Sequence, residues 1–509
     1  MFNGFVGIQI APTMTVQSMM KTFTGKSHAD SPLSERSFLT PAWCAFIGSL
    51  ILSSIAISGT ELPNRDGMLY IDTASIFLHD GLAAARASFD WVFFPTCIAF
   101  LSKATGLGLE SAAYVLSALL LACVCATQVR VAQIQFPSAA WYACLVVLTL
   151  PSFNEQRNEI IREFGWWLFC LQALLAAFRW EQQPGLRTGL EVQVLLVIAC
   201  LFRIEAAVFF VALALWQLAK PLPWKQRFWR LSTLVCLPAA ACIAVLGLLA
   251  TGQLEIGARI ANYASAINPA VSLKEFRIVA AQFGSEILNR YSADEAGTIL
   301  FFGLISTVVV KFITHNGILL IPCAVFLWSK PLRRNFSTWQ PQSYFFATYV
   351  ATLIAFVTHY LFISGRYVIF LNILTMPLIA IGMREIFEKY PRWRIAFLLI
   401  ALATSLVNVV SLSPKKTQFR DAGNWLAAHS EIAERTYIDS PRTRYFAGPA
   451  YRSTNNLSGP KQFDFLVIEL SKHGAARAEQ IRSAEFDEEI RFSNKAGDAV
   501  VVLRRKSTP

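Results

Sequence analysis

Apolar positions along this chain gather into blocks, most of them close to bilayer length. They lie near residues 41 to 58, 111 to 128, 138 to 151, 164 to 178, 190 to 202, 206 to 219, 231 to 251, 298 to 328, 343 to 363, 367 to 382 and 395 to 411. A helix crosses a bilayer with about 20 predominantly apolar residues. The pattern therefore predicts an all-α polytopic membrane protein with about 11 transmembrane helices. The block at 298 to 328 is interrupted by Lys311, His315, Asn316 and Gly317 and is read as one crossing with a break. Two crossings there would invert everything that follows.

Two further segments are helical in pattern but unsuited to crossing. Trp91 to Leu101 is apolar but only about half the length a span needs, and it contains Pro95. Between Thr251 and Gly297, residues Leu273, Phe276, Ala280, Phe283, Ile287 and Tyr291 recur every three or four positions. Both are predicted to be interfacial helices in outer loops. After Ser413 the pattern becomes that of a small soluble α/β domain. A helix is expected around Asp421 to His429, with strands at Thr436 to Asp439, Phe463 to Leu470 and Ala499 to Leu503. The expected division is a leader at 1–40, a membrane domain at 41–412 and the soluble domain at 413–509.

Charge orients this arrangement. Of 509 residues 55% are hydrophobic and 15% charged, and 45 Lys and Arg against 33 Asp and Glu leave +12. In a soluble chain that excess would suggest nucleic acid. Here the basic residues gather at Gln128 to Gln135, Arg179 to Arg187, Lys220 to Arg230, Lys330 to Arg334 and Arg384 to Arg394, between apolar blocks. Such loops are retained in the cytoplasm, so no nucleic-acid partner is expected. The N-terminus is then cytoplasmic and the soluble domain lies outside. The leader holds Lys21, Lys26 and Arg36 but no cleavable apolar core, so the first helix is expected to be an uncleaved anchor. No cysteine follows Cys323, and the soluble domain has no disulfide framework.

With this topology the unusual polar residues fall on one side. The loop after the first span, ELPNRDGMLYIDTASIFLHDGLAAARASFDWVFFP from Glu61 to Pro95, is long and acidic, and Asp66 and Tyr70 are one helical turn apart in it. Glu155, Arg157, Glu159, Arg162 and Glu163, then Arg203 with Glu205, and Arg366 with Tyr367 all sit at outer ends of spans. Ionisable groups at such depth are costly unless they face a polar interior, so together they suggest an outward-opening polar chamber. Glu155, Glu159 and Glu163, four apart, are expected to stack on one helical stripe, with Arg162 three beyond Glu159. A solvated, self-neutralised helix start is the alternative. Arg203 and Glu205 also fit a polar joint in a helical hairpin, and Arg366 fits a headgroup anchor. Lys311 and His315, one turn apart at membrane depth, suit an anion or a snorkelling lysine.

The motifs RDGMLY, FFPTCIAFLSKATGLGLESAAYVLSALL, NEIIREFGWWLF, SGRYVIFLNILTMPLIAIG and DAGNWLAAH, in that order, resemble the GT-C superfamily of integral-membrane glycosyltransferases. Within it the chain is most similar to the branch of protein O-mannosyltransferases and the lipid A aminoarabinose transferase. The resemblance implies a bacterial inner-membrane enzyme. Such an enzyme moves a sugar, with inversion, from a polyprenyl-phosphate donor of undecaprenyl-phosphate type to a periplasmic acceptor. That acceptor is a lipopolysaccharide, another surface glycan or a protein. It also implies Asp66 as general base and Arg366 as donor-phosphate ligand, with the second acid open among Glu155, Glu159 and Glu163. Donor and acceptor contacts are expected from Tyr70, Arg157, Glu159, Arg162, Glu163, Arg203, Glu205, Lys311, Arg366 and Tyr367. Members often carry two adjacent acids in the first loop, and here Gly67 follows Asp66. Metal dependence is therefore open, with Asp66 and Glu159 the acids that would hold a divalent ion. The rival functions are an O-antigen polymerase or ligase, and a transporter or flippase of lipid-linked sugar.

Overall fold

The computed structural model describes residues 40–251, 269–328, 341–410, 415–451, 463–470 and 486–506. The leader and the basic loop Lys330 to Arg334 lie outside the described residues. Helices α1 (Pro41–Ser58), α2 (Arg65–Ser88), α3 (Phe93–Thr105) and α4 (Leu109–Gln135) come first. Then follow α5 (Ala140–Thr149), α6 (Pro151–Glu155), α7 (Glu163–Gln182), α8 (Leu186–Phe202), α9 (Val208–Leu218) and α10 (Trp224–Ala250). Beyond them are α11 (Pro269–Glu286), α12 (Ala296–Asn316), α13 (Leu320–Trp328), α14 (Gln342–Tyr360), α15 (Gly365–Lys389) and α16 (Trp393–Val409). The C-terminal module contains α17 (Gln418–Ala428) and α18 (Pro441–Ala447) and strands β1 (Thr436–Ile438), β2 (Phe465–Leu470), β3 (Phe486–Ser493) and β4 (Ala499–Arg505).

Every apolar block of the sequence is helical. Among the described residues, five stretches are long and apolar enough to cross a membrane: α1, α4, α10, the stretch Ala293–Trp328 containing α12 and α13, and α15. The chain is thus a helical protein with membrane-length segments. Other blocks are short, α5 being only 10 residues long. The interruption expected at 298 to 328 falls at Gly317, whose φ of +53° ends α12. The expected loop Gln128 to Gln135 is the end of α4. Nothing there breaks a helix before Phe136, which is pushed out of helical geometry by Pro137.

Helix α15 is the centre of the bundle. Residues Val368 to Met383 are all buried, as expected of a helix that is apolar on every side. Pro377 lacks the N–H that would satisfy Ile373 O. Gln128 Nε2 donates to that carbonyl at 2.7 Å, and Gln342 Nε2 donates to Leu374 O. A similar repair serves Pro238 in α10. Gln193 Nε2 donates to Thr233 O at 2.9 Å, and Leu237 N donates to Gln193 Oε1 at 2.7 Å. The side-chain amide stands between the two backbone groups that an unbroken helix would join directly. Gly189 makes the approach possible, since a Cβ there would lie 2.1 Å from Thr233 O.

Both short helical segments are present with altered bounds. Helix α3 begins at Phe93, and α11 ends at Glu286, so the exposed Ile287 and Tyr291 fall outside it. Phe276 meets Phe301 of α12 at 6.4 Å between ring centroids. In the C-terminal module the strand order is β1-β2-β4-β3, with β1 parallel to β2 and the other pairs antiparallel. Val467, Val500 and Val502 pack with Phe419 and Leu426 of α17. Strand β3 and helix α18 are additions to the sequence reading.

Candidate functional site

The segment between α1 and α2 and the segment before α7 are stitched together by amides. Asn64 Nδ2 donates to Ile160 O at 3.3 Å, and Ile160 N donates to Asn64 Oδ1 at 2.9 Å. Asn158 Nδ2 also donates to Thr60 Oγ1 at 2.9 Å. Gly67 permits this closeness, because a Cβ there would stand 2.6 Å from Asn64 Oδ1 and 2.8 Å from Ile160 Cβ. A second acid beside Asp66 has no room. Asp66 itself lies in the first turn of α2, a helix whose backbone breaks at Gly81 (φ 83°). Tyr70, one turn on, is buried edge-to-face against Phe94 with centroids 5.2 Å apart. Burial pushes its hydroxyl well above the ordinary range, and the nearby Glu163 adds to this.

The expected carboxylate stripe does not form. Helix α6 stops at Glu155 and α7 starts at Glu163, leaving 156–162 non-helical because its backbone is engaged by Asn64 and its arginine is drawn inward. Arg157 is buried against α1. Its Nη1 donates to Ser49 O at 3.1 Å, Ser49 Oγ at 2.9 Å and Ser53 Oγ at 3.3 Å, and its Nε donates to Asn154 Oδ1 at 2.7 Å. It braces a helix joint and stands apart from the acids. Glu155 lies 3.7 Å from His315 Nδ1. The edge of the His315 ring packs on Gly365, where a Cβ would meet Nε2 at 2.5 Å. Lys311, one turn earlier on α12, forms no ion pair among the described residues.

The remaining candidates converge. Arg366, in the first turn of α15, donates from Nη1 to Asp66 Oδ2 at 2.6 Å, and both side chains remain partly open to solvent at 29% and 37%. Behind this pair lies a triad in which Arg203 and Glu163 are buried and Glu205 is 20% exposed. Arg203 Nη1 meets Glu163 Oε1 at 2.6 Å, while Arg203 Nη2 and Nε both engage Glu205. The Arg203 guanidinium also lies 4.8 Å from the Tyr367 ring centroid and 5.6 Å from that of Trp166. Tyr349 Oη donates to Tyr367 O at 2.6 Å. Arg162 lies 5.9 Å from the Phe89 ring centroid and acts electrostatically on Tyr70 and Glu205.

Glu159 feels Arg366, Asp66, Arg442 and Glu163. Its carboxyl is pushed above the ordinary carboxylate range, mainly by burial, with Asp66 and Glu163 reinforcing the shift and Arg366 and Arg442 opposing it. The site thus gathers Asp66, Tyr70, Glu159, Arg162, Glu163, Arg203, Glu205, Arg366 and Tyr367 from α2, the 156–162 segment, the start of α7, the α8–α9 joint and α15.

Arg442 on α18 was not anticipated. It lies 5.1 Å from the Phe419 ring centroid, and its module docks on the segment between α1 and α2 through Lys415 Nζ to Glu61 Oε1 at 2.6 Å and through Leu62. Its sequence signal was only an arginine in PRTRYF. As for a metal, one Asp66 oxygen is taken by Arg366 and Gly67 excludes a neighbouring acid. Among the described residues no group of three or more His, Cys, Asp or Glu is placed to hold an ion. No protein-family model matches the chain, and no curated protein matches it.

Proposed function

We propose that the protein is a GT-C-type integral-membrane glycosyltransferase that moves a sugar from a polyprenyl-phosphate donor to an acceptor hydroxyl. The observation that carries this reading is the Asp66–Arg366 pair, in which a carboxylate and a guanidinium from distant segments meet in a partly open, charge-lined position. Transfer from a lipid phosphate needs a base on the acceptor and positive charge on the departing phosphate.

In the resting state each group occupies the other. A donor phosphate would engage the Arg366 fork and release Asp66 Oδ2. Asp66 then takes the proton of the acceptor hydroxyl as its oxygen bonds to the anomeric carbon. The bond from that carbon to the phosphate oxygen breaks, and the electron pair leaves with the polyprenyl phosphate. One in-line displacement inverts the anomeric centre. Arg203, held by Glu163 and Glu205 and set against the Tyr367 ring, keeps the neighbouring carboxylates fixed.

The same reading takes the eleven helical blocks as crossings of a bacterial inner membrane. The N-terminus is then cytoplasmic and the C-terminal module periplasmic, facing a glycan or protein acceptor. Reporter fusions after Arg420 that work only in the cytoplasm would refute that topology.

The decisive test is Asp66→Asn. Turnover of a polyprenyl-phosphate sugar should fall by about 10² to 10⁴, with little change in thermal stability, because the pair is partly solvated. Capping is not an alternative role, since Asn64 is the N-cap residue of α2. Parental turnover by the Asn variant would remove Asp66 as the base.

A further inference from the structure

A second charged cluster, unused by the proposed transfer, lies at the opposite end of α7. Glu181 follows Glu163 by 18 positions, a helical rise of about 27 Å. Its carboxylate is shared by two cations, Arg230 Nη2 at 2.7 Å and Lys220 Nζ. Arg230 Nε also donates to Gln217 Oε1 at 3.2 Å. One turn earlier, Arg227 Nη2 donates to the carbonyls of Lys220 at 2.8 Å and Leu222 at 3.1 Å. The cations rest on indoles, with Lys220 4.4 Å from the Trp216 ring centroid and Arg230 4.8 Å from that of Trp180. The two indoles meet edge-to-face at 5.9 Å.

Two features set this cluster apart from a self-satisfied ion network. Two bases, Lys220 and Arg230, share the single acid Glu181, and a third, Arg227, is bonded only to the main-chain carbonyls of Lys220 and Leu222. In addition, Trp180 Nε1, Trp216 Nε1, Gln217 Nε2 and Arg227 Nε are buried and have no hydrogen-bond partner among the described residues. Each of these orphans is a donor. Buried donors without acceptors are costly, and here they belong to residues in or against the cationic cluster. Burial holds the Lys220 ammonium pKa below its ordinary value despite the touching carboxylate, and Arg230 lowers it further. The cluster is short of negative charge and of acceptor atoms.

We propose that this cluster is a binding site for a phosphoryl group, presented either by an anionic lipid headgroup or as free phosphate. A phosphoryl group offers several acceptor oxygens, and guanidinium and ammonium groups bind it by charge-assisted hydrogen bonds. Indole N–H groups suit a position with one apolar and one polar side. The inference does not rest on the glycosyltransferase reading, since the two clusters share no residue.

The full-length protein, purified in detergent and stripped of lipid, is titrated with dioleoyl phosphatidylglycerol, dioleoyl phosphatidylcholine and inorganic phosphate. Binding is followed by native mass spectrometry and calorimetry. Phosphatidylglycerol should bind the parent more tightly than phosphatidylcholine. The Lys220→Gln, Arg230→Gln double variant should lose about tenfold in affinity or more, the scale of a charge-assisted contact. Glu181→Gln, which removes the competing carboxylate, should bind about threefold more tightly. Arg179→Gln, at the exposed Arg179–Glu191 pair, should match the parent.

Should the double variant not fold, Glu181→Gln still discriminates, because a merely structural carboxylate gives weaker binding or none when removed. Phosphate binding without phosphatidylglycerol binding assigns the site to free phosphate, and the converse assigns it to lipid. Equal affinity of parent, double variant and Glu181→Gln for every probe, or no binding of either phosphate source, overturns the proposal.

Discussion

The two ends of α7 solve the problem of charge in opposite ways. At the Glu163 end, Asp66, Glu159, Glu163 and Glu205 are answered by Arg162, Arg203, Arg366 and Arg442, so acids and bases are matched. At the Glu181 end, Lys220 and Arg230 share one acid, and Arg227 beside them donates to main-chain carbonyls. The matched end is drawn from segments far apart in sequence and is partly sealed, with Arg203 and Glu163 only 7% and 5% exposed. The unmatched end comes mainly from consecutive helices and keeps Glu181 38% exposed. Balance is the condition for burying charge, and a surplus is tolerated where solvent or a ligand can answer it.

The contrast predicts unequal responses to the same kind of change. Arg203→Met leaves the buried Glu163 and the mostly buried Glu205 as uncompensated acids and should destabilise the protein by about 3–5 kcal/mol. Arg230→Met leaves Glu181 with Lys220 and should cost roughly 1 kcal/mol or less. Denaturation of both variants in the same detergent measures the difference, and equal losses would break the comparison. Next in size, Arg366→Ala should lose about 1.5–3 kcal/mol of transition-state stabilisation in kcat/KM for the donor, the value of a hydrogen bond to a charged group. Arg366→Lys should recover part of it, because an ammonium keeps the charge but not the fork. Parental rates in both would leave Arg366 a headgroup anchor.

Adding a fifth acid probes how tightly the matched end is built. Gly67→Asp, which restores the adjacent acids of the resembled family, must displace Ile160 and Asn64 and should cost about 1–3 kcal/mol in stability. A variant as stable as the parent would show that the start of α2 and the 156–162 segment can separate. The smallest effect is at Glu159. Its pKa in the folded protein is raised above the ordinary 4.5, so the folded state holds that proton more tightly than the unfolded one. The stability this gives is full below pH 4.5 and is lost as pH rises through the raised value. Glu159→Gln should therefore have a higher melting midpoint than the parent at pH 7.5 and no advantage at pH 4. An advantage only at pH 4 would reverse the sign and refute the shift.

Much of the fold was legible because apolar runs and helical periodicity are local. The positions of α1, α10, α14, α15 and α16 follow directly from them, as does the break near Gly317. What escaped depends on partners distant in the chain. Nothing around Asn64 announces that its amide will pair with the backbone of Ile160, and that pairing unmade the Glu155, Glu159, Glu163 stripe. Arg157 looked like its neighbours in the polar segment, yet hydroxyls on α1 pulled it away from them. Strand β3 carries Asp487, Glu488 and Glu489 and reads as a polar linker, because an edge strand displays charge outward. Arg442 could be recognised only after α18 was seen beside α2.

The docking of Glu61 and Leu62 on the C-terminal module has a consequence for biogenesis. On the ribosome, the segment carrying Asp66 is made directly after the first helix, while Lys415 and Phe419, against which it is held, are made after every helix of the bundle. The bundle can pack while that segment still lacks its last support. Bracing of the Asp66 helix is therefore among the latest events of maturation, and the order of synthesis delays the working arrangement until the module has folded onto it.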